Sequence, residues 1–267
     1  LSQRVKQAVY IQGNGSRVGV KVHQEFIDTF SIVGQLEYAV DFNGNKSNDI
    51  NLSNRNTYVG IANSWGEMFI GKHDTPLKLA QGNIDLFSDS DSQMWPLQRG
   101  ENRVSDAIFF RSAEFNNFSL DVSFVDNSNQ AVNKIGASFA IKYQDGNSYM
   151  AFAIDKGILD YNVVRWVGSY SHEKLTFSAL LQESTSTKTN KSKQGYTLST
   201  SYQYSQYVLK MQYTHSGEII NGGKYMTVGL DWQFSDDILL YTFYTDRDAS
   251  QTEEQGDLIS FGIKYNF

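Results

Sequence analysis

The chain has 267 residues, no cysteine and a formal net charge of −6, from 23 basic and 29 acidic residues. The lack of cysteine excludes a disulfide framework, a thiolate nucleophile and a cysteine-ligated metal site, and the acidic balance argues against a nucleic-acid partner. Aromatic residues make up 14% of the chain, yet its mean hydropathy is −0.43. No stretch approaches the roughly 18–20 consecutive apolar residues of a membrane helix, so the composition suits a barrel of amphipathic strands instead.

Alternating apolar and polar residues run through the chain, for example over 118–124, 135–143 and 226–234. A period of two places successive side chains on opposite faces of a strand, and no comparable helical period competes with it. The chain is therefore predicted to be all-β. The candidate strands number sixteen, with fourteen as the fallback, and lie near 3–12, 16–25, 30–42, 52–62, 67–74, 104–115, 118–126, 134–144, 148–155, 160–171, 175–184, 195–205, 207–217, 223–234, 238–248 and 257–267.

The connections between these strands are of two kinds, tight turns and longer polar loops. This rhythm and the even strand number are typical of an antiparallel up-and-down barrel in an outer membrane, whereas a Greek-key sandwich would need long crossovers. Sixteen strands would enclose an aqueous space rather than a packed core. The tight turns are predicted at 116–117, 145–147, 172–174, 205–206 and 235–237, and the polar loops at 43–51, 185–194, 218–223 and 249–256.

One connection breaks this rhythm, because about 29 residues separate Asp74 from Val104, and connections beyond about 12–15 residues are usually functional or disordered. Disordered segments lack large apolar residues, and this one contains several, including Ile84, Phe87 and Leu97. The segment 75–103 is therefore predicted to pack against something, and inside a barrel that surface is the inner wall.

The last strand alternates perfectly, with Phe261, Ile263, Tyr265 and the final residue Phe267 on one face. A barrel in lipid gains from such a strand, because its apolar face meets lipid and its polar face meets a wet lumen. The pattern resembles the terminal assembly signal of outer-membrane barrels, whose closing strand finishes on Phe.

Several short motifs in this order and spacing resemble the general diffusion porins of the Gram-negative outer membrane, over essentially the whole chain. Segment 15–21 resembles the second strand of that family, 55–61 and 65–72 its fourth and fifth strands, and 103–111 its sixth. The family usually has Gly-Arg where this chain has Gly71-Lys72, which is a conservative departure. The chain is shorter than is usual for the family, and a few residues are expected to precede Leu1.

The resemblance implies a homotrimer of sixteen-stranded barrels, located in the bacterial outer membrane after removal of a signal peptide. The whole chain, 1–267, would form one transmembrane domain, with 75–103 as a third loop that folds inward and narrows the pore. The implied partners are outer-membrane lipid, lipopolysaccharide, the barrel-assembly machinery acting on the closing strand, and small hydrophilic solutes. No cofactor, metal or nucleic acid is expected. The lysines of loop 185–193 are either a solvated tip or a contact for lipopolysaccharide phosphates.

The basic half of a constriction follows from the cost of charge in lipid. A Lys or Arg that faces lipid at the bilayer midplane costs about 2–4 kcal/mol, so basic residues on strands should point inward. Arg165 and Lys210 lie opposite clear apolar stripes, whereas Arg55 is ambiguous because Val59 and Ile61 fall on its face. The predicted basic wall consists of Arg17, Lys21, Arg55, Arg103 and Arg111.

The acidic half would come from the long loop, through Asp85, Asp89, Asp91 and Glu101. Opposed charges across a narrow opening would create a transverse field, which orients dipolar solutes and disfavours apolar ones. In the alternative interpretation these acids only keep the loop soluble.

Catalytic and metal sites find little support. His215 and Ser216 are adjacent on one strand, so their side chains point to opposite faces and cannot form a dyad, and no Gly-x-Ser-x-Gly elbow is present. Segment 41–47 has a misplaced glycine and no terminal glutamate for a calcium loop. We expect no enzymatic activity and no metal site.

The leading hypothesis is a passive channel for ions and small hydrophilic solutes, with net acidity slightly favouring cations. The alternative is a substrate-selective porin, for instance for oligosaccharides, which would need lumen-facing aromatics at graded depths. Tyr10, Trp95 and Tyr225 are the candidates. A barrel that serves as an adhesin or receptor would need larger external loops than these.

Overall fold

A computed structural model describes residues 15–27, 29–41, 51–90, 92–94, 96–127, 135–218, 223–249 and 256–266. Within these ranges the chain has fifteen strands and one short helix, which confirms the all-β prediction. The predicted first strand, 3–12, lies outside the described residues, as does Phe267. The helix α1 is Pro76–Leu79, and the strands are β1 (Arg17–Ile27), β2 (Phe30–Asp41), β3 (Asn51–Asn63), β4 (Gly66–Asp74), β5 (Arg103–Ser112), β6 (Phe118–Asp126), β7 (Ile135–Gln144), β8 (Ser148–Ile158), β9 (Tyr161–His172), β10 (Leu175–Ser186), β11 (Ser192–Tyr204), β12 (Tyr207–Ser216), β13 (Gly223–Gln233), β14 (Ile238–Ala249) and β15 (Leu258–Tyr265).

These strands form one antiparallel sheet in which each strand pairs with the next, from β1 to β15. At about 4.8 Å between strands, a flat sheet of this size would be about 65 Å wide. Yet the short segment 86–89 contacts Arg17 of β1, Gln212 of β12 and Phe243 of β14. The sheet therefore curves until its two ends approach each other, as an up-and-down barrel requires.

The two faces of the sheet differ sharply in chemistry. On the outer face of β1, Val18, Val20 and Val22 are exposed, and on β10 so is Leu181, whereas its neighbour Leu180 on the inner face is buried. So much exposed apolar surface is stable only in apolar surroundings. Among the described residues, no helix has the length and apolarity needed to cross a membrane.

The five predicted tight turns all lie at one end of the sheet, because each follows an odd-numbered strand from β5 to β13. Non-glycine residues with φ > 0, such as Asn116 and Asn117, supply the twist that such hairpins need. One connection at the opposite end is also tight, since Leu159 and Asp160 (φ 47° and 67°) join β8 directly to β9.

The larger of two main buried apolar clusters lies between the long loop and the inner face of β7–β10, and the second, which includes Phe69 and Phe109, lies mainly on β4–β6. Leu77, Ala80, Ile84 and Met94 of the loop are buried in the larger cluster against small and apolar side chains of the strands. The prediction that segment 75–103 packs against the inner wall is confirmed. The strand residues of the larger cluster are Ala140, Ala151, Ala153, Val163, Val167 and Leu180.

Candidate functional site

The long loop leaves β4 through a capped helical turn. Thr75 accepts a hydrogen bond from Lys78 N at 3.3 Å, and Pro76 occupies the first helical position, where its missing N–H costs nothing. Two wall residues then hold the turn, because Leu77 N donates to Ser138 Oγ at 3.1 Å and Tyr149 Oη donates to Ala80 O at 2.9 Å. The start of the loop is thus fixed to β7 and β8.

The end of the loop carries Glu101, one of the predicted constriction acids. Its carboxylate lies 2.7 Å from Nη1 of Arg165 on β9, and both side chains are buried. Glu101 is therefore placed against the covered part of the wall rather than opposite the predicted basic wall. Its partner, Arg165, lies opposite an apolar stripe in the sequence and was therefore expected to point inward. It was not among the predicted constriction bases.

Asp85, in the middle of the loop, accepts hydrogen bonds from Met94 N at 3.0 Å, Phe87 N at 3.2 Å and Gln212 Nε2 at 3.0 Å. These contacts fold the loop on itself and fasten it to β12. Burial raises the pKa of Asp85 above its usual range, although the three donors oppose this shift. The carboxylate of Asp85 thus accepts hydrogen bonds from its own loop and from β12.

The tip of the loop reaches β1, because Oδ2 of Asp89 lies 2.6 Å from Nη2 of Arg17, and both side chains are 40% exposed. On the other side of the tip, Lys210 donates to Leu86 O at 3.0 Å and lies over the ring of Phe87. Asp89 has φ +61°, a strained conformation for a non-glycine residue. Asp91 lies outside the described residues.

Arg55 faces the inner side together with Tyr58, which strict alternation does not allow. The register runs from Leu36↔Thr57 to Tyr38↔Asn54, so Arg55 and Asn56 both stand opposite Glu37. This bulge adds one residue to β3 and shifts its later side chains to the other face. Arg55 Nε then lies 2.6 Å from Glu37 Oε1, which resolves the ambiguity of the sequence pattern.

Two of the remaining predicted bases, Arg103 and Arg111, are also paired with acids on neighbouring strands. Arg103 Nη2 lies 3.0 Å from Oδ1 of Asp74, which also binds Lys78. Within the described part of the chain, no carboxylate lies within ion-pair distance of Lys21. A longer row of charges crosses four strands, in the order Glu67 (β4), Arg111 (β5), Asp121 (β6) and Lys142 (β7), with separations of 2.7, 3.3 and 2.6 Å.

Of the predicted acids that the structure describes, Asp89 is the one brought into contact with a predicted wall base. Sequence reasoning missed the acidic partners on the strands, Glu37, Glu67, Asp74 and Asp121, because it searched for acids in the loop alone. The sequence did contain the information needed to find these four acids. A charged side chain on a strand whose alternate residues are apolar points inward, whether it is basic or acidic.

The closing strand carries its predicted signal on the outer face, where Phe261, Ile263 and Tyr265 are exposed. The predicted aromatic ladder is not visible at Tyr225, which is buried against Leu97 of the loop. Tyr10 and Trp95 lie outside the described residues. Across the ranges that the structure describes, no group of three His, Cys, Asp or Glu side chains could hold a metal ion.

Two open spaces flank the loop. A cavity of about 590 Å³ opens toward the tight turns and is lined mainly by hydroxyl and amide side chains, among them Ser119, Ser169 and Ser201. A second one, of about 690 Å³, lies between the loop tip and the two ends of the sheet, with Arg17, Asp231 and Lys264 in its lining. Both spaces are polar, so they suit water and hydrophilic solutes.

Comparison with known proteins gives a consistent result. A family model described as Gram-negative porin matches residues 4–252. The major outer membrane protein P.IB of Neisseria lactamica is 21% identical over 197 residues, which cover 67% of this chain and 57% of that protein. Chitoporin of Vibrio furnissii is 33% identical over 73 residues, which cover 26% of this chain and 20% of that protein. The chain thus spans about half the length of the first curated relative.

Solved structures show the same fold at low identity. OmpF of Salmonella typhi, in complex with daunomycin, superposes with a TM-score of 0.76 at 14% identity, covering 94% of this chain and 89% of that one. The trimer form of OmpT from Vibrio cholerae has a TM-score of 0.71 at 12% identity, covering 97% and 92%.

Proposed function

Because the chain belongs to the Gram-negative porin family, we propose that it forms a water-filled channel through the outer membrane, open to passive diffusion of ions and small hydrophilic solutes. The observation that carries the proposal is the position of the long loop. It packs on β7–β10 and fastens to β12 and β14, and a polar space of about 690 Å³ remains between its tip and the strands at the two ends of the sheet. A loop that narrows a barrel without filling it sets a size limit for solutes.

The inner side of β1–β6 gives that opening its electrostatic character. Arg17, Lys21, Arg55, Arg103 and Arg111 are the proposed basic wall, and the contact between Arg17 and Asp89 is the place where loop acid and wall base meet. Strand acids neutralise much of the remaining charge locally. Such a wall holds ordered water, so an apolar solute has to displace that water while a polar solute can replace its contacts.

The assembly follows from the outer surface. We propose a homotrimer with outer-membrane lipid around it, because the exposed apolar stripes need either lipid or a second subunit, and the trimer form of OmpT shares the fold. The closing strand, with Phe261, Ile263 and Tyr265 facing outward, would be the segment that the barrel-assembly machinery binds. Lys188, Lys191 and Lys193 would meet lipopolysaccharide phosphates. The chain 1–267 would form one domain that transports solutes without chemistry.

A second candidate is a porin selective for oligosaccharides, which the local match to chitoporin favours. Sugar-selective channels would use aromatic faces along the path, and Tyr225 is covered by the loop. The hydroxyl-rich lining of the 590 Å³ cavity is the feature that such a solute would contact.

Single-channel current across a planar lipid bilayer tests the primary proposal, with refolded protein and a salt gradient. We expect stepwise openings, in groups of three for a trimer, and a reversal potential that reports the ion preference. Chito-oligosaccharides added to one side separate the two candidates, because a selective channel would show saturable blocking of the ion current. Folded barrels that carry no current would refute both.

A further inference from the structure

The largest fully buried side chain described in this protein is a cation, Arg165 on β9. It lies on the inner face between Val163 and Val167, which are buried as well. Burying an arginine is unfavourable unless each of its donors finds a partner. The position of Arg165 therefore requires an explanation beyond packing.

The partners of Arg165 come from both ends of the long loop. Nη1 donates to Leu77 O at 3.3 Å, at the start of the loop, and to Glu101 Oε1 at 2.7 Å, at its end. Nη2 donates to Arg99 O at 2.8 Å, and both Nε and Nη2 donate to Gln182 Oε1. A planar guanidinium can hold several acceptors in fixed directions, which a lysine ammonium on its flexible stem cannot.

The neighbouring residues complete the attachment. Gln182 of β10, which Arg165 orients, donates its own Nε2 to Arg99 O at 3.1 Å. Gly100 has φ +90°, and a Cβ atom there would lie 2.4 Å from Cδ2 of Leu77, so the two ends of the loop touch beside the guanidinium. The loop is thus closed at its base around one side chain of the wall.

We infer that Arg165 is a positioning residue that holds both ends of the loop against β9 and thereby sets the width of the channel. The inference rests on the proposed channel function and extends it. Replacing a buried ion pair by apolar residues often leaves stability unchanged, so the role of this pair is where the loop lies rather than whether the barrel folds.

Thiol labelling tests the inference without any current measurement. The chain has no cysteine, and Ala80, fully buried in the loop, can be replaced to give the reporter Ala80→Cys. We expect slow maleimide labelling of this reporter in folded barrels, and a rise of about tenfold or more when Arg165→Met and Glu101→Met remove the pair and free the loop. Unchanged labelling would overturn the inference.

Arg111→Met is the matched control, because Arg111 also faces inward but pairs with Glu67 and Asp121 rather than with the loop. It should leave labelling of Ala80→Cys unchanged, and an equal rise would contradict a specific role for Arg165. Should the double variant not fold, Arg165→Lys keeps the charge but loses the planar fork. It is expected to give an intermediate rise, and wild-type labelling in Arg165→Lys would argue against the inference.

Single-channel recording then links the loop to the channel. The variant Arg165→Met with Glu101→Met should conduct about twofold more than the native chain, or fluctuate between levels, since pore width governs conductance. Leu181→Met, on the outer face, is the control for this measurement and should keep the conductance level. If the native chain carries no current while labelling follows the expected pattern, the channel function fails and the attachment of the loop by Arg165 stands.

Discussion

The inner face of this barrel has two halves with opposite designs. Along β7–β10 it presents Ala140, Ala153 and Leu180, which are covered by the loop and make dry contacts with it. Along β1–β6 it presents ion pairs such as Arg55–Glu37 and Arg103–Asp74, which surround a second buried cluster that includes Phe69 and Phe109. The difference teaches that an inward position is not defined by polarity: small apolar residues lie beneath the loop, whereas β1–β6 combine ion pairs with buried aromatic side chains.

This comparison also separates two sources of stability. The covered half gains from burial, which contributes about 25 cal/mol for each Å² of apolar surface removed from water. The half formed by β1–β6 holds ion pairs that are partly exposed. Each such pair contributes little to the free energy of unfolding, but its electric field acts on permeating ions. Substitutions in the first half should therefore act on stability, whereas those among the ion pairs of the second half should also change ion selectivity.

The largest effect is expected at Leu180, which is fully buried beneath the loop, compared with Leu181, which is 54% exposed on the outer face. Leu180→Ala leaves a cavity and should lower the free energy of unfolding by about 2–5 kcal/mol. Denaturant titration of barrels refolded in lipid measures this change in the free energy of unfolding. Leu181→Ala is the control on the adjacent residue and should lower the free energy of unfolding clearly less. Equal losses from the two substitutions would contradict the burial of Leu180 beneath the loop.

A charge on the outer face should have the next largest effect. Val20→Lys places an ammonium among exposed valines that face lipid, and near the bilayer midplane this costs about 2–4 kcal/mol. The same denaturant titration applies. Gln35→Lys, which enters the inner face beside Glu37, serves as the comparison, and a greater loss there would reverse the assignment of the two faces.

Asp121 tests the charged half, because its side chain is 3% exposed between Arg111 and Lys142. Asp121→Asn removes the anion that both cations share, and should lower stability by about 1–3 kcal/mol. The two cations left beside the opening should also shift the reversal potential toward anions in a salt gradient. A shift toward cations would contradict an inward position for this row of charges.

The smallest stability effect is expected at the loop tip. The pair of Asp89 and Arg17 is half-exposed, so Asp89→Asn should change the free energy of unfolding by at most about 1 kcal/mol. Ion selectivity should nevertheless move toward anions, most clearly at low salt where screening is weak. A large loss of stability with unchanged selectivity would place this pair among the structural contacts instead.

Most of the fold could be predicted from the sequence, because a period of two is a strong local signal. The fifteen described strands follow the predicted segments, and four of the five tight turns fall where Asn, Asp or Ser interrupts the alternation. The signal was ambiguous at Arg55, because Val59 and Ile61 fall on its face in strict alternation, and the bulge explains that conflict. Register with the neighbouring strand decides such a case, and a single strand does not contain that information.

The candidate site was less predictable, for a different reason. Sequence reasoning assigned Glu101 to the opening because it lies in the loop, whereas the structure buries it against Arg165. A loop has no period that orients its side chains, so acids that face the opening cannot be told from acids that fasten the loop. The strand acids Glu67 and Asp121 could have been found, since the outward apolar stripes beside them define their direction.

Disulfide formation between Ser92→Cys in the loop and Thr245→Cys on β14 tests the position of the loop most directly, because the two native hydroxyl oxygens are 2.5 Å apart. In a chain without other cysteines, mild oxidation of refolded barrels should link this pair within one subunit and leave the channel conductance unchanged. In the control, which combines Ser92→Cys with Ser53→Cys on β3, the two thiols should stay reduced, because the part of the loop that the structure describes does not pack on β3. Efficient linkage to residue 53 and none to residue 245 would show that the loop does not lie along the wall that this account assigns to it.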